Sequence, residues 1–166
     1  VIFVPGIMGS ELWNGDQLVW PNIRTFLAKG DVMKYPHPLD ARGLVNQIVV
    51  VPGLFKADVY RRLGDYLVDG LGYLRGRDLY EFAYDWRQDN RASGRAVAAR
   101  IGEILQEHGA QKYILVSHSM GGLVTRAMLM QDGGIAAKAM GVVHIAQPAL
   151  GAAVFYRRMF TGGRAG

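Results

Sequence analysis

The chain contains no cysteine. This excludes a disulfide framework, a thiolate metal site and a cysteine nucleophile, and it leaves the compartment open. No apolar run reaches the ~18 residues of a membrane span. Histidine is scarce, with four in 166 residues, and nothing in the pattern suggests a metal, a nucleotide or another cofactor. Lys and Arg outnumber Asp and Glu by 19 to 14, for a net charge of +5. The arginines are scattered, however, with no basic run and no aromatic–basic repeat. The surplus therefore reads as an ordinary solvated surface, not a nucleic-acid partner. Acidic residues stop at Asp132, an absence that matters below. The first residue is Val and already lies in an apolar run, so there is no signal peptide to read. Both ends read as cuts through a larger chain.

What is present is globular. Half the residues are apolar and a fifth are charged, enough to bury a core, and the length suits one domain or part of one. Apolar runs at 1–4, Gln47–Val51, 79–84, 113–116 and Ala139–Ile145 read as strands. Helical spacing marks residues 56–68, where Val59, Leu63, Tyr66 and Leu67 share a face, and residues 94–108, where Val97, Ile101, Ile104 and Leu105 do. Met120–Gln131 and 152–160 are the remaining helices. Residues 9–44 are expected to form an irregular excursion with short helical pieces. The alternation of strand and helix predicts an α/β fold, with a mostly parallel sheet, right-handed crossovers and helices on both faces. In such a sheet ligands sit at the carboxyl ends of the strands.

The most informative stretch is at 112–130. An apolar strand runs directly into Ser117-His118-Ser119-Met120-Gly121, and a helix begins at once. This is the nucleophile-elbow layout G-x-S-x-G, with Ser117 in place of the first Gly. The turn lifts one Ser side chain above the sheet, and the residues two before and two after it must be small because strand and helix pass close together. Ser119 is the expected nucleophile. His118, its neighbour on a sharp turn, is expected to point away from it. The helix start offers free N–H groups where negative charge develops. An oxyanion hole needs two such groups, one from the residue after the nucleophile, Met120, and one from a loop after an earlier strand. The Gly-rich turn Pro5-Gly6-Ile7-Met8-Gly9 fits that loop, with Ile7 as donor and Met8 as the alternative. In the middle of the chain, Tyr84-Asp85-Trp86-Arg87 falls at a strand's carboxyl edge. Asp85 and Arg87 are placed to pair or to bind backbone and Trp86 to pack under the loops, in support of the site; direct contact of these three with substrate is the alternative.

Together these segments resemble the lecithin:cholesterol acyltransferase-like branch of the α/β-hydrolases. The matching stretches are VPGIMGSELW, VVVPGL, LGY with DLYEFAYDWR, VSHSMGGLVTRAML and VVHIAQPALGA, in order across nearly all of the chain. The resemblance implies serine acyl-ester chemistry on lipids, by hydrolysis or by transfer to an alcohol. It maps the nucleophile to Ser119 and the oxyanion donors to Ile7 and Met120. It also implies transient contact with a membrane or lipid surface, and a lid-like or substrate-contact role for residues 9–44, with Trp13, Trp20 and Phe26 as contact candidates. The chain departs from the family pattern at Ser117 and at Ala146-Gln147.

In this fold the triad order is Ser, acid, His. The single acid after Ser119 is Asp132, which a helix rise of ~1.5 Å per residue puts ~20 Å away. The single His after Ser119 is His144, inside a strand and expected to be buried or at an edge. The triad acid and His are therefore expected beyond residue 166, with residues 1–166 forming a hydrolase core that is incomplete at its C-terminal end. Three readings follow: a lipid-ester hydrolase or acyltransferase, a non-catalytic fold that binds lipid or a partner, and a serine hydrolase of small esters or amides.

Overall fold

The computed structural model describes residues 1–22, 30–51, 55–58 and 60–162. Its centre is a four-stranded, all-parallel sheet in the order β7-β1-β8-β9. These strands are β1 (Ile2–Val4), β7 (Tyr80–Glu81), β8 (Tyr113–His118) and β9 (Ala139–Ile145). In β8 burial alternates. Tyr113, Leu115 and Ser117 are buried while Ile114, Val116 and His118 are half-buried, as the period of two requires.

The two faces carry different partners. On one face Ile2, Val4 and Leu115 pack against Val97, Ile101 and Ile104 of α2 (Asn90–Glu107) and Val124 and Met128 of α3 (Met120–Gln131). On the other, Phe3 and Val116 meet Tyr60, Leu63 and Leu44. Leu63 lies on α1 (Arg61–Asp65), which continues as a single wide turn over Tyr66–Gly70. Local chemistry sets the ends of α2. The Asp89 carboxylate accepts the Arg91 N–H at 2.7 Å as an N-cap, and Ala110 and Gly109 N–H groups return to Leu105 and Gln106 carbonyls in a Schellman turn. A short α4 (Gly133–Ala136) precedes β9, and α5 (Ala153–Thr161) follows it with every side chain exposed or nearly so.

The sequence expectations need three corrections. First, the described part of 9–44 holds more than the short helical pieces expected of an irregular excursion: beside a 3₁₀ turn at Gly30–Met33 it carries a three-stranded antiparallel sheet, β3-β2-β4, formed by β2 (Ser10–Asn14), β3 (Gln17–Trp20) and β4 (Asp40–Leu44). The two-residue loop Gly15-Asp16, with Gly15 at φ +57, closes the first hairpin. Second, β5 (Gln47–Val51) does not join the parallel sheet but pairs antiparallel with β6 (Phe55–Asp58). That pairing takes residues expected to begin a helix at 56, so α1 starts only at Arg61. Third, the expected strand at 79–84 shortens to Tyr80–Glu81. Val59, Phe26, Pro52 and Gly53 lie outside the described residues.

Candidate active site

The carboxyl ends of β1, β8 and β9 lie side by side in the sheet. Each is followed by a non-glycine residue at positive φ, Met8 (+61) in the turn after β1, Ser119 (+52) directly after β8 and Ala146 (+51) directly after β9, and these are the non-glycine residues of that kind among those described. Such conformations cost about 1–3 kcal/mol each and persist only where the surroundings enforce them. Here they gather on one edge.

Ser119 sits between β8 and α3 with ψ −124. Its backbone is fully engaged: the N–H donates to Ile145 O at 2.8 Å, and its carbonyl accepts Gly122 N–H at 2.9 Å. Its side chain is not. A Ser at a helix N-cap ordinarily spends its hydroxyl on a first-turn N–H, yet Ser119 makes no such bond. Ser119 is half-buried as a residue, and the helix start beside it leaves the Met120 N–H without an intrahelical carbonyl. Close packing explains the need for a small residue two positions on. A Cβ on Gly121 would lie 2.3 Å from Pro5 O and 2.5 Å from Val4 O. On the other side, the serine at 117 is accommodated because its hydroxyl is 2.7 Å from His144 Nδ1, across the β8–β9 pair that sets the two residues opposite each other.

The turn after β1 reaches this edge. Gly9 N–H donates to Gly6 O at 3.1 Å, and positive φ at Met8 makes Gly6–Gly9 a type II turn. A Cβ on Gly6 would stand 2.9 Å from Ser119 Cβ, so Ile7, 55% exposed, starts next to the serine. The Pro5–Gly6 peptide is held at both ends. Tyr84 Oη donates to Pro5 O at 3.0 Å, and Gly6 N–H donates to Tyr60 Oη at 2.7 Å. Burial pushes both tyrosine hydroxyls up in pKa, against a smaller opposing effect of the Gly6 N–H on Tyr60. His118 Nδ1 lies 2.9 Å from Tyr60 Oη. A cavity of about 260 Å³ lined by Tyr60, Leu63, His118 and Ile145 adjoins the elbow.

Asp85, Trp86 and Arg87 stand behind this turn. Arg87 Nε and Nη2 donate to the two Asp85 oxygens at 2.8 and 2.7 Å, with side chains only 5% and 7% exposed. Burial alone would raise the Asp85 pKa, but hydrogen bonds from the Arg87 side chain and N–H, and from Gln88, together hold it below the usual carboxylate range. The same guanidinium donates to the carbonyls of Val32, Met33 and His37, tying residues 32–37 down. Trp86 Nε1 donates to Ser10 O at 3.2 Å, and its ring meets Trp20 edge-on at 6.0 Å. Trp20 in turn donates to Met8 O at 2.8 Å. The antiparallel sheet thus braces the turn that carries Ile7 and Met8. Trp13 lies instead under the Arg42 guanidinium, 5.4 Å from its ring.

Asp132 caps α4 by accepting Ile135 N–H at 2.9 Å, and His144 is bound to Ser117. Among the described residues, neither a carboxylate nor a His bonds the Ser119 hydroxyl, and no three His, Asp or Glu side chains converge into a metal-binding group. Sequence reasoning missed Tyr60 and the contact of Tyr84 Oη, and it named Ala146-Gln147 only as a departure from the family pattern, not for the backbone of Ala146 or for the Gln147 amide, which donates to Gly122 O at 3.1 Å. Tyr60 lay inside the helix expected over 56–68, off its apolar face, and no residue type signals the positive φ of Ala146.

Similarity to known proteins agrees with this geometry. In overall structure the chain is similar to one in the crystal structure of the Tle4–Tli4 complex, with a TM-score of 0.55 and 22% identity over 95% of this chain and 47% of that one. This places the sheet and its helices in the α/β-hydrolase fold. In sequence it is 34% identical over 62 residues to lecithin-cholesterol acyltransferase-like 4 of Arabidopsis thaliana, spanning 36% of this chain and 12% of that protein. The family model for lecithin:cholesterol acyltransferase matches residues 54–166. With more than half its length matched, the chain belongs to the lecithin:cholesterol acyltransferase family.

Proposed function

We propose that this chain carries the nucleophile and oxyanion hole of a serine-dependent acyl-ester hydrolase or O-acyltransferase acting on lipid esters. The observation that carries the reading is Ser119 itself: a strained, half-buried serine at a helix start, whose hydroxyl is not used as a cap. Ser119 Oγ attacks the acyl carbonyl carbon. The oxyanion that forms is held by the N–H groups of Met120 and Ile7, with Met8 as the alternative to Ile7. Collapse of this intermediate breaks the ester C–O bond, expels the alcohol and leaves the acyl group on Ser119. Water or a second alcohol then takes the acyl group.

A serine needs a base to act at neutral pH. In this reading the base is a His, oriented by a carboxylate, both supplied from outside residues 1–166. The chain spans only 12% of the curated relative's length and 47% of the structural one. Residues 9–44 form the substrate-contact region in this reading. Asp85, Trp86 and Arg87 support the site from behind.

The test is a fluorophosphonate probe on the full-length protein. The reading predicts one adduct at Ser119, absent in Ser119→Ala. Failure to label where a known serine esterase labels favours a non-catalytic binding protein. A chain-length series of p-nitrophenyl esters separates lipid from small-ester specificity, the former giving kcat/KM that rises with acyl length.

A further inference from the structure

The Pro5–Gly6 peptide leads into the turn that carries Ile7, and it is gripped from two sides. Its carbonyl takes the Tyr84 hydroxyl and its N–H enters the Tyr60 oxygen. The next peptide N–H belongs to Ile7. Tyr60 comes from the segment before α1, far from both loops in sequence, and is 6% exposed. Its ring is fixed edge-on against Phe3 of β1 at 5.3 Å. Because Gly6 N–H occupies one lone pair of Tyr60 Oη, the hydroxyl proton is free to point at His118 Nδ1, 2.9 Å away. His118 then carries its proton on Nε2. His118 immediately precedes Ser119, so one phenol joins the nucleophile turn to the oxyanion loop.

We propose that Tyr60 and His118 are positioning residues of this site: Tyr60, held by His118, fixes the Pro5–Gly6 peptide so that the Ile7 N–H faces the oxygen that becomes negative. The proposal rests on the Ser119 reading. A raised Tyr60 pKa keeps the phenol protonated, as the relay from Gly6 to His118 needs. Neither residue touches the reacting atoms. Their effect falls on a transition-state interaction and therefore on kcat, not on KM.

Two readouts on the full-length protein test this, ester turnover and amide hydrogen exchange over residues 2–9. Tyr60→Phe keeps the ring packing and removes the oxygen. It is expected to lower kcat by about 10–100-fold, below the loss for deleting an oxyanion donor outright. KM should stay within about twofold, and exchange at Gly6 should accelerate. His118→Leu is expected to do the same in weaker form. His118→Asn, whose amide oxygen can take the place of Nδ1, should recover most of what His118→Leu loses. If Tyr60→Phe does not fold, His118→Leu and its Asn counterpart carry the test. A kcat within about twofold of the parent, or a change confined to KM, overturns the positioning role. So does unaltered exchange at Gly6. If the parent protein turns over no ester and takes no probe at Ser119, the enzyme reading fails. The exchange arm still decides the clamp on its own, and faster exchange without turnover leaves a structural clamp and overturns positioning for catalysis.

Discussion

Replacing Arg87 with Leu tests how the middle segment holds the site. The chain contains three Asp-x-Arg pairs, and beside the exposed Asp40–Arg42 two have nearly equal geometry: Asp85–Arg87 at 2.7 Å and Asp89–Arg91 at 2.9 Å. They differ in burial. The first pair is 5–7% exposed in its side chains and the second 53–74%. Removing Arg87 leaves an uncompensated buried carboxylate, which costs about 3–5 kcal/mol. The three carbonyls it also serves belong to half-buried or exposed residues and can turn to water, so they add little. With an m-value of about 2 kcal/mol per molar urea, the unfolding midpoint should fall by about 2 M. Arg91→Leu should shift it by a small fraction of that, since an exposed pair is screened. Asp85→Asn combined with Arg87→Leu should recover part of the loss, because no buried charge remains. Urea melts of the four proteins followed by tryptophan fluorescence give the comparison. Equal losses for Arg87→Leu and Arg91→Leu would refute the argument that burial decides the value of these pairs.

Other outcomes follow from the same contacts. Gly121→Ala places a methyl against two backbone oxygens that cannot yield. It should cost at least about 1–3 kcal/mol and slow probe labelling of Ser119, whereas Gly133→Ala, which meets nothing within 4 Å, should be neutral or slightly stabilising in thermal melts. Ser117→Gly removes the hydroxyl bound to His144 and loosens a strand. A loss of about 1–2 kcal/mol with turnover retained is expected in the same melts. Asp85 lies below the ordinary carboxylate pKa, and Asp89, through hydrogen bonds first from the Arg91 side chain and then from its N–H, is lowered to about 2. A depressed folded pKa stabilises above the unfolded value of about 3.9 and loses that stabilisation as pH falls through the folded one. Melts should therefore show stability falling between about pH 4 and pH 2, with a shallower fall in Asp89→Ala.

The parts legible from sequence were those where one local signal has one structural meaning. The run 113–131 was readable because an apolar strand, small turn residues and an amphipathic helix follow one another with no loop, and the structure keeps that order. The face of α2 was readable from Val97, Ile101, Ile104 and Leu105. Parallel pairing followed from alternation alone. The antiparallel sheet was missed because its strands carry mixed residues such as Glu11, Trp13 and Arg42 in place of clean alternation, although Asn14-Gly15 was a hairpin signal in plain sight. The run at 47–51 was read as a sheet strand because β-branched residues mark extended backbone but not its partner. At the site, the tight turn at Ser119 and the glycine turn Gly6–Gly9 were legible as local backbone geometry. The contacts of Tyr60 with Gly6 and His118 were not, because they join residues more than fifty positions apart and have no periodic trace.

The most direct measurement is on the acyl-enzyme. The full-length protein, mixed briefly with a long-chain p-nitrophenyl ester and quenched in acid, is digested and its peptides are weighed. The account predicts that the peptide containing residues 113–126 gains the mass of the acyl group, on Ser119, with p-nitrophenol released in a matching burst. Release of p-nitrophenol without that adduct, or an acyl group found on another residue, would contradict it.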